Sequence, residues 1–333
     1  MNRRPVAGTV DALVAGATVR TPVQFDDSKS GARFERVVVD GERLLLKHVD
    51  PRDDWIMRQT GDIGCIPVTV WESGVFDLLP DGIDHATVGA AREGGHGAVL
   101  LRDVGEWLIA AGDEPIPAEQ HLRFLDHLAG LHAATWGWRD TIGLLPVANR
   151  YSFFGPDALA CEAELGFPRP VPRLATEGWR RLDDASPALA DALRPLRIAP
   201  WPLLDALAET PTALLHGDTK FGNVGFGPDG RTILIDWSQT GAGPPLAEVA
   251  HSLALNRTRI PSVLAREATV AAYRAALERH GIDTGSWFER QLALCLVGVM
   301  LQLGWQQAFD DTGLELAWWR DRTVDTAREL TRS

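Results

Sequence analysis

At 333 residues, with 45% hydrophobic and 23% charged positions, the chain has an ordinary globular composition and room for two domains. A formal net charge of −12 and a pI near 5.2 argue against a nucleic-acid or anionic-membrane partner and suit a cationic small molecule. Cys65, Cys161 and Cys295 are odd in number and widely spaced, without a C-x-x-C pair, which argues for a reducing compartment and against a zinc centre. Arg3 and Arg4 open the chain as a signal peptide would, but Gly8, Thr9 and Asp11 interrupt any apolar core. The longest apolar run, 292–301, is short for a membrane span and reads as a buried helix. The expectation is a cytoplasmic monomer or homodimer.

In chain order, residues 8–19 read as a short helix despite Gly16. Strands follow: 34–40 is rich in β-branched and aromatic residues, Asp40-Gly41 is a hairpin turn, and 43–49 returns. Before them lies a polar turn, 26–32, containing Ser30 and Gly31. Leu44-Leu45-Leu46-Lys47 places a cation in an apolar strand, where it must meet an anion or snorkel to water. Residues 52–63 are a helix candidate carrying Asp53, Asp54 and Asp62, the first two suited by charge to its N-terminus. Segments 67–76 and 98–102 read as two more strands, the second running into Arg102-Asp103-Val104. A boundary near 102 divides the chain into 1–102 and 103–333.

Beyond it the pattern turns helical. Residues 117–136 carry apolar positions at 122, 125, 128 and 129, and His132 among them reads as a core histidine. Residues 151–202 are Pro-rich and irregular with helical pieces at 157–164 and 174–195, either a lid over substrate or plain packing. Most of the legible chemistry lies in 213–237. An apolar triplet leads into His216-Gly217-Asp218, a polar turn supplies Lys220 and Asn223, and a hairpin turning at Gly227-Pro228-Asp229-Gly230 ends on Asp236. A loop carboxylate can orient and accept the proton of an attacking hydroxyl. An amide oxygen and a second carboxylate are hard donors for Mg²⁺ already held by phosphates. The letters G-x-G-x-x-G at 225–230 fall in the hairpin turn rather than between a strand and a helix, so they are no dinucleotide fingerprint. After a break at 241–245, a helix at 246–255 carries Glu248, and three more follow at 261–280, 286–309 and 313–331. Trp305, Trp318 and Trp319 in these last helices read as core before pocket.

His216-Gly217-Asp218, Asn223 five residues after the aspartate, and Ile235-Asp236-Trp237 together resemble the aminoglycoside phosphotransferase and choline kinase-like family of small-molecule kinases. Trp237 stands where protein kinases carry Phe, and Lys220 leans towards the protein-kinase form of the loop. The resemblance implies an α+β, bilobal protein-kinase-like fold: a five-stranded antiparallel N-terminal sheet with a helix, then a larger, mainly helical C-terminal lobe. It implies ATP between the lobes, Asp218 as catalytic base with Lys220 at the transferred phosphate, and Mg²⁺ on Asn223 and Asp236. It further implies Lys47 on the α and β phosphates, Asp62 as its carboxylate partner, and backbone groups of Ser30 and Gly31 closing over the phosphates. Backbone groups from Arg102 to Val104 would meet the adenine, Glu248 would brace the catalytic loop, and His216 would steady that loop by hydrogen bonding. The implied acceptor is a hydroxyl of an amino sugar, sugar, aminoglycoside or amino alcohol. Two other readings stand beside it. One is a catalytically silent nucleotide-binding regulator of the same fold. The other, a metal hydrolase on His216 and Asp218, lacks the further ligands such a site needs.

Overall fold

The structure, a computed structural model, describes residues 2–25, 30–310 and 312–332. Thr9 caps a single helical turn, α1 (Val10–Leu13), accepting from Ala12 N at 3.1 Å. Gly16, at φ +83°, then turns the chain into β1 (Ala17–Val23), so the helix expected to run to residue 19 stops early. β2 (Arg33–Val39) returns through Asp40 and Gly41, both at positive φ, into β3 (Glu42–Val49). There follow α2 (Trp55–Thr60), α3 (Ile66–Ser73), β4 (Ile83–His85), β5 (Thr87–Glu93) and β6 (His96–Arg102). Five of these strands form one antiparallel sheet in the order β1-β2-β3-β6-β5.

Alternation along β3 decides what faces the site. Leu44 and Leu46 pack with Val10, Val14 and Val37 on one face. Val49 packs with Met57, Val68 and Val99 on the other, and Lys47, two residues from Val49, points to that second face.

The strand expected at 67–76 is a helix. The carboxylate of Asp62 accepts the Ile66 N–H at 2.9 and 3.0 Å, Pro67 sits in the first turn, and Gly74 closes the helix in the left-handed region. Val68 and Val70 suggested a strand by β-branching alone, but α3 buries both. The segment at 151–202 is likewise more regular than its proline content suggests. It lies within α5 (Val147–Ser152), α6 (Pro156–Glu164), α7 (Pro170–Ala185), α8 (Pro187–Ile198) and α9 (Trp201–Ala208), which follow α4 (Ala118–Ala134). Each of α6 to α9 opens with a proline in its first turn, where no backbone N–H is needed, and Pro195 alone among them lies inside a helix, in the last turn of α8.

β7 (Ala213–Leu215) and β10 (Gly241–Gly243) pair with each other, while β8 (Val224–Phe226) and β9 (Thr232–Leu234) form the expected hairpin. β4 adds to β9 in parallel, tying the segment before β5 to that hairpin. Helices α10 (Leu246–Leu255), α11 (Glu267–Arg279), α12 (Phe288–Gln307) and α13 (Leu314–Leu330) complete the chain. Nearly all of α12 is buried, and Trp305 and Trp319 belong to the same core. No helix among the described residues is long and apolar enough to cross a membrane.

Candidate active site

Buried β7 delivers the chain into a loop held from beneath. Gly217 adopts φ +91°, and a Cβ there would lie 2.0 Å from the Gln239 carbonyl oxygen, so only glycine fits. Its N–H donates to Glu248 Oε1 at 2.6 Å, and His132 Nε2 bonds Glu248 Oε2 at 2.8 Å. The Tyr273 hydroxyl meets His132 Nδ1 at 2.6 Å, which makes His132 the satisfied core histidine its helix position suggests. Burial alone would raise the Glu248 carboxyl, but the bond and charge of His132, with His216 and the Gly217 N–H, hold it at about 2.

Arg150, on α5, is buried and donates Nη1 to the Gly217 carbonyl at 2.6 Å and Nη2 to the Gln239 carbonyl at 2.5 Å. One guanidinium therefore ties the loop before Asp218 to the turn after Asp236. Asn256 steadies the far side, accepting from Phe221 N at 2.9 Å and donating to Thr219 O at 3.1 Å. His216 donates from Nε2 to Ile235 O at 2.9 Å and accepts the Asp218 N–H at Nδ1, 3.3 Å away. Burial lowers its pKa, and the edge of Trp237 covers the ring at 4.6 Å. It is a neutral brace.

The functional side chains stand on this platform. Asn223 donates Nδ2 to the Asp218 backbone carbonyl at 3.0 Å and to its Oδ2 at 2.9 Å. That orients the carboxylate and, among the described residues, leaves Asp218 Oδ1 and the Asn223 amide oxygen without a hydrogen-bond donor. Lys220 Nζ lies 3.6 Å from Asp218 Oδ2. Asp236 sits in the left-handed region at φ +61°, a strained backbone for a side-chain-bearing residue. Lys47 Nζ bonds its Oδ1 at 2.7 Å. Burial would raise this carboxyl, yet Lys47 and Lys220 outweigh it and hold it well below the usual range. Among the described residues, no group of three His, Cys, Asp or Glu side chains could hold a metal alone. Asn223 and Asp236 supply two oxygens, a set that phosphate oxygens and water would complete.

Two spaces of about 60 and about 20 Å³ lie between sheet and loop, both bordered by Lys47 and Asp236. The larger also meets Ser30, Asp54, Asp62, Asp218 and Lys220. The smaller is an apolar slot between Ala86, Val99, Leu101 and Trp237. Two sequence expectations for this side need correction, the pairing of Asp62 with Lys47 and a free backbone N–H at Arg102. Asp62 lines the larger space without an ion pair to Lys47. Its carboxylate caps α3, and burial pushes it up to about 6. The carboxylate bonded to Lys47 is Asp236, while Asp54, buried at the N-terminus of α2, caps Ile56 and Met57 and feels the lysine's charge. Arg102 turns its side chain to Asp84 and the His85 carbonyl and gives its backbone N–H to Ala86 O at 2.8 Å, so that N–H is not free for a ring. Val104 is buried against Ala86 and Ile233, its carbonyl accepting from Trp107 N. Ser30 reaches the larger space and Gly31 adjoins it in sequence, at φ +110°; residues 26–29 of the polar turn lie outside the described residues.

Asp54 caps α2 as its charge suggested, while sequence reasoning missed Arg150 and Asn256. Asn256 had a faint signal, a polar stop directly after the apolar helix 246–255, whereas a buried Arg serving two carbonyls leaves no local pattern.

The model of the family described as "Phosphotransferase enzyme family" matches residues 90–283, more than half of the chain. No curated protein matches. Among solved structures, LicA in complex with AMP is similar at 12% identity over 93% of this chain and 92% of that one, TM-score 0.50. A thermostable mutant of aminoglycoside phosphotransferase APH(4)-Ia with ADP and hygromycin B aligns at 15% identity over 96% of each chain, TM-score 0.46. Spectinomycin phosphotransferase APH(9)-Ia with ADP and spectinomycin aligns at 11% identity over 94% and 93%, TM-score 0.46. The likeness to LicA is one of fold, and it agrees with an antiparallel N-terminal sheet followed by a mainly helical C-terminal part. With the matched family model, it makes this chain a member of the phosphotransferase enzyme family.

Proposed function

We propose that the protein is a small-molecule kinase that moves the γ-phosphate of ATP to a hydroxyl. One observation carries this: Asn223 holds the Asp218 carboxylate at 2.9 Å while Lys47 holds Asp236 at 2.7 Å, on one cleft. That set has a base, two oxygen donors for a cation, and a cation for phosphates, and phosphoryl transfer needs little else. Residues 1–102 would form the nucleotide side and 103–333 the acceptor side.

In this reading Asp218 orients the acceptor hydroxyl through its free carboxylate oxygen. As the acceptor oxygen bonds to the γ-phosphorus and the bond to the β-phosphate oxygen breaks, Asp218 takes up the hydroxyl proton and ADP leaves. Lys220, beside Asp218, offsets charge on the moving phosphoryl group, and Lys47 offsets charge on the remaining phosphates. Asn223 and Asp236 would hold Mg²⁺, whose charge on the phosphate oxygens the reaction requires. The apolar walls at Ala86, Val99 and Leu101 would face the adenine once the slot opens to admit it, and Val104 lies at the neighbouring turn. Ser30 and Gly31 border the phosphate side.

The acceptor belongs to the amino sugars, sugars, aminoglycosides or amino alcohols, in line with a net charge of −12. The test is Mg·ATP turnover against pools of these compounds, read as acceptor-dependent ADP. ADP release with one pool supports the kinase. Tight ATP binding with no release from any pool favours a silent regulator of the same fold, and no nucleotide binding overturns the reading.

A further inference from the structure

The helices between 147 and 208 do not stand apart from the nucleotide side; they grip α2. Trp55 of α2 packs on Phe153 and Phe154 at ring-centroid distances of 5.9 and 5.5 Å. Glu162 of α6, fully buried, takes Arg58 at 3.1 Å and Gln59 Nε2 at 2.9 Å. Asn149 Nδ2 donates to Thr60 O at 2.8 Å. The next helix, α7, begins with Arg169 at its N-cap.

Arg169 rests against Gly31. A Cβ on Gly31 would stand 2.8 Å from Arg169 Nη2, 3.0 Å from its Nε and 2.4 Å from the Asp53 carbonyl oxygen. Glycine is required here twice, for φ +110° and for the room that the guanidinium occupies. Arg169 is half-buried as a residue, and its guanidinium makes no hydrogen bond or ion pair with any described residue. Among the described residues, Glu162 is held by Arg58 and Gln59, and the Asp53 carboxylate lies 3.7 Å from Arg33. A guanidinium with no protein counter-charge keeps its N–H groups available to an anion. Ser30, the residue before Gly31, borders the same space as Lys47, Asp218 and Asp236.

We propose that Arg169 is a nucleotide-binding residue that reaches from the helical segment to the phosphate tail of the bound nucleotide at Ser30-Gly31. The proposal rests on the nucleotide reading above and adds to it a residue outside every motif of the family resemblance. A guanidinium stays charged at any working pH and binds phosphate through paired N–H groups, which suits recognition of the tail rather than of the base. The α2 grip and Arg169 together place the acceptor-side helices in direct contact with the state of the phosphates.

The experiment is calorimetric binding of Mg·ATP and of adenosine to the full chain and to Arg169→Ala, Arg169→Lys and Gly31→Ala. Arg169→Ala should weaken Mg·ATP by on the order of tenfold and leave adenosine within about twofold, with partial recovery in Arg169→Lys. Gly31→Ala, which displaces the guanidinium, should reproduce the loss selective for ATP. Equal weakening of ATP and adenosine would mean a packing role and overturn the proposal, as would unchanged ATP binding. Wild-type protein that binds neither compound overturns the nucleotide reading itself, a result separate from both.

Discussion

Glu248→Ala is the sharpest perturbation of the platform under the cleft. Each oxygen of this buried carboxylate serves one donor, Gly217 N–H at 2.6 Å and His132 Nε2 at 2.8 Å. Hydrogen bonds to a charged group contribute about 1.5–3 kcal/mol each, and the alanine leaves both donors buried and unpaired. The expected loss is therefore about 3–5 kcal/mol, a large part of a stability of about 5–15 kcal/mol. The pKa adds a pH dependence. Against the cost of burial, the bonds from His132 and Gly217 N–H hold the carboxyl down at about 2, below its ordinary 4.5. Because the folded pKa is the lower one, this stability is present above pH 4.5 and is lost as the pH falls towards 2. Urea unfolding of wild type and Glu248→Ala between pH 3 and 7 would measure both. The gap between them should be about 3 kcal/mol or more at pH 7 and shrink on acidification. Glu248→Gln should lie between, since its amide NH₂ must face one of the two donors. A gap below about 1 kcal/mol at pH 7, or one that does not narrow in acid, would refute the bracing argument.

Asp62 should titrate in the opposite sense. Its folded pKa is raised from 3.8 to about 6, so wild-type stability falls as the pH rises through that window, and Asp62→Asn should flatten the profile there. Gly217→Ala, with a Cβ 2.0 Å from Gln239 O at a φ of +91°, should lose more than about 3 kcal/mol in denaturant midpoint or fail to fold. Arg150→Met removes both charge-assisted bonds to Gly217 O and Gln239 O; about 3 kcal/mol of stability should go, and turnover should fall more than ATP binding. Lys47→Met leaves Asp236 without its 2.7 Å partner, so ATP affinity should drop at least tenfold in a titration while adenosine affinity holds.

The centre of the molecule was legible because its constraints are local. Asp218, Asn223 and Asp236 fall within one loop and one hairpin, and the turn residues at 227–230 mark the hairpin directly. Helix 246–255 was read to the residue because apolar periodicity and a preceding Pro pair delimit it. What failed depended on partners distant in sequence. Residues 67–76 look like a strand by β-branching, and only the Asp62 cap with the Gly74 terminus makes them helical. The proline-rich stretch hid several helices because proline is a breaker inside a helix and a starter at its first turn. Lys47 was recognisable as a buried cation, but its bond to Asp236 spans 189 residues of sequence. Arg150 reaches carbonyls 67 and 89 residues away, and nothing in its neighbourhood announces that.

The most direct test of the central claim follows the phosphate itself. With γ-labelled Mg·ATP and the acceptor pool that supports ADP release, wild-type protein should yield a labelled phosphate ester. Asp218→Asn, which keeps the bond from Asn223 and the fold, should bind ATP within a few fold but transfer about 10²–10⁴ times more slowly. An ester formed equally fast by Asp218→Asn, or label found only as free phosphate with every acceptor, would contradict the account.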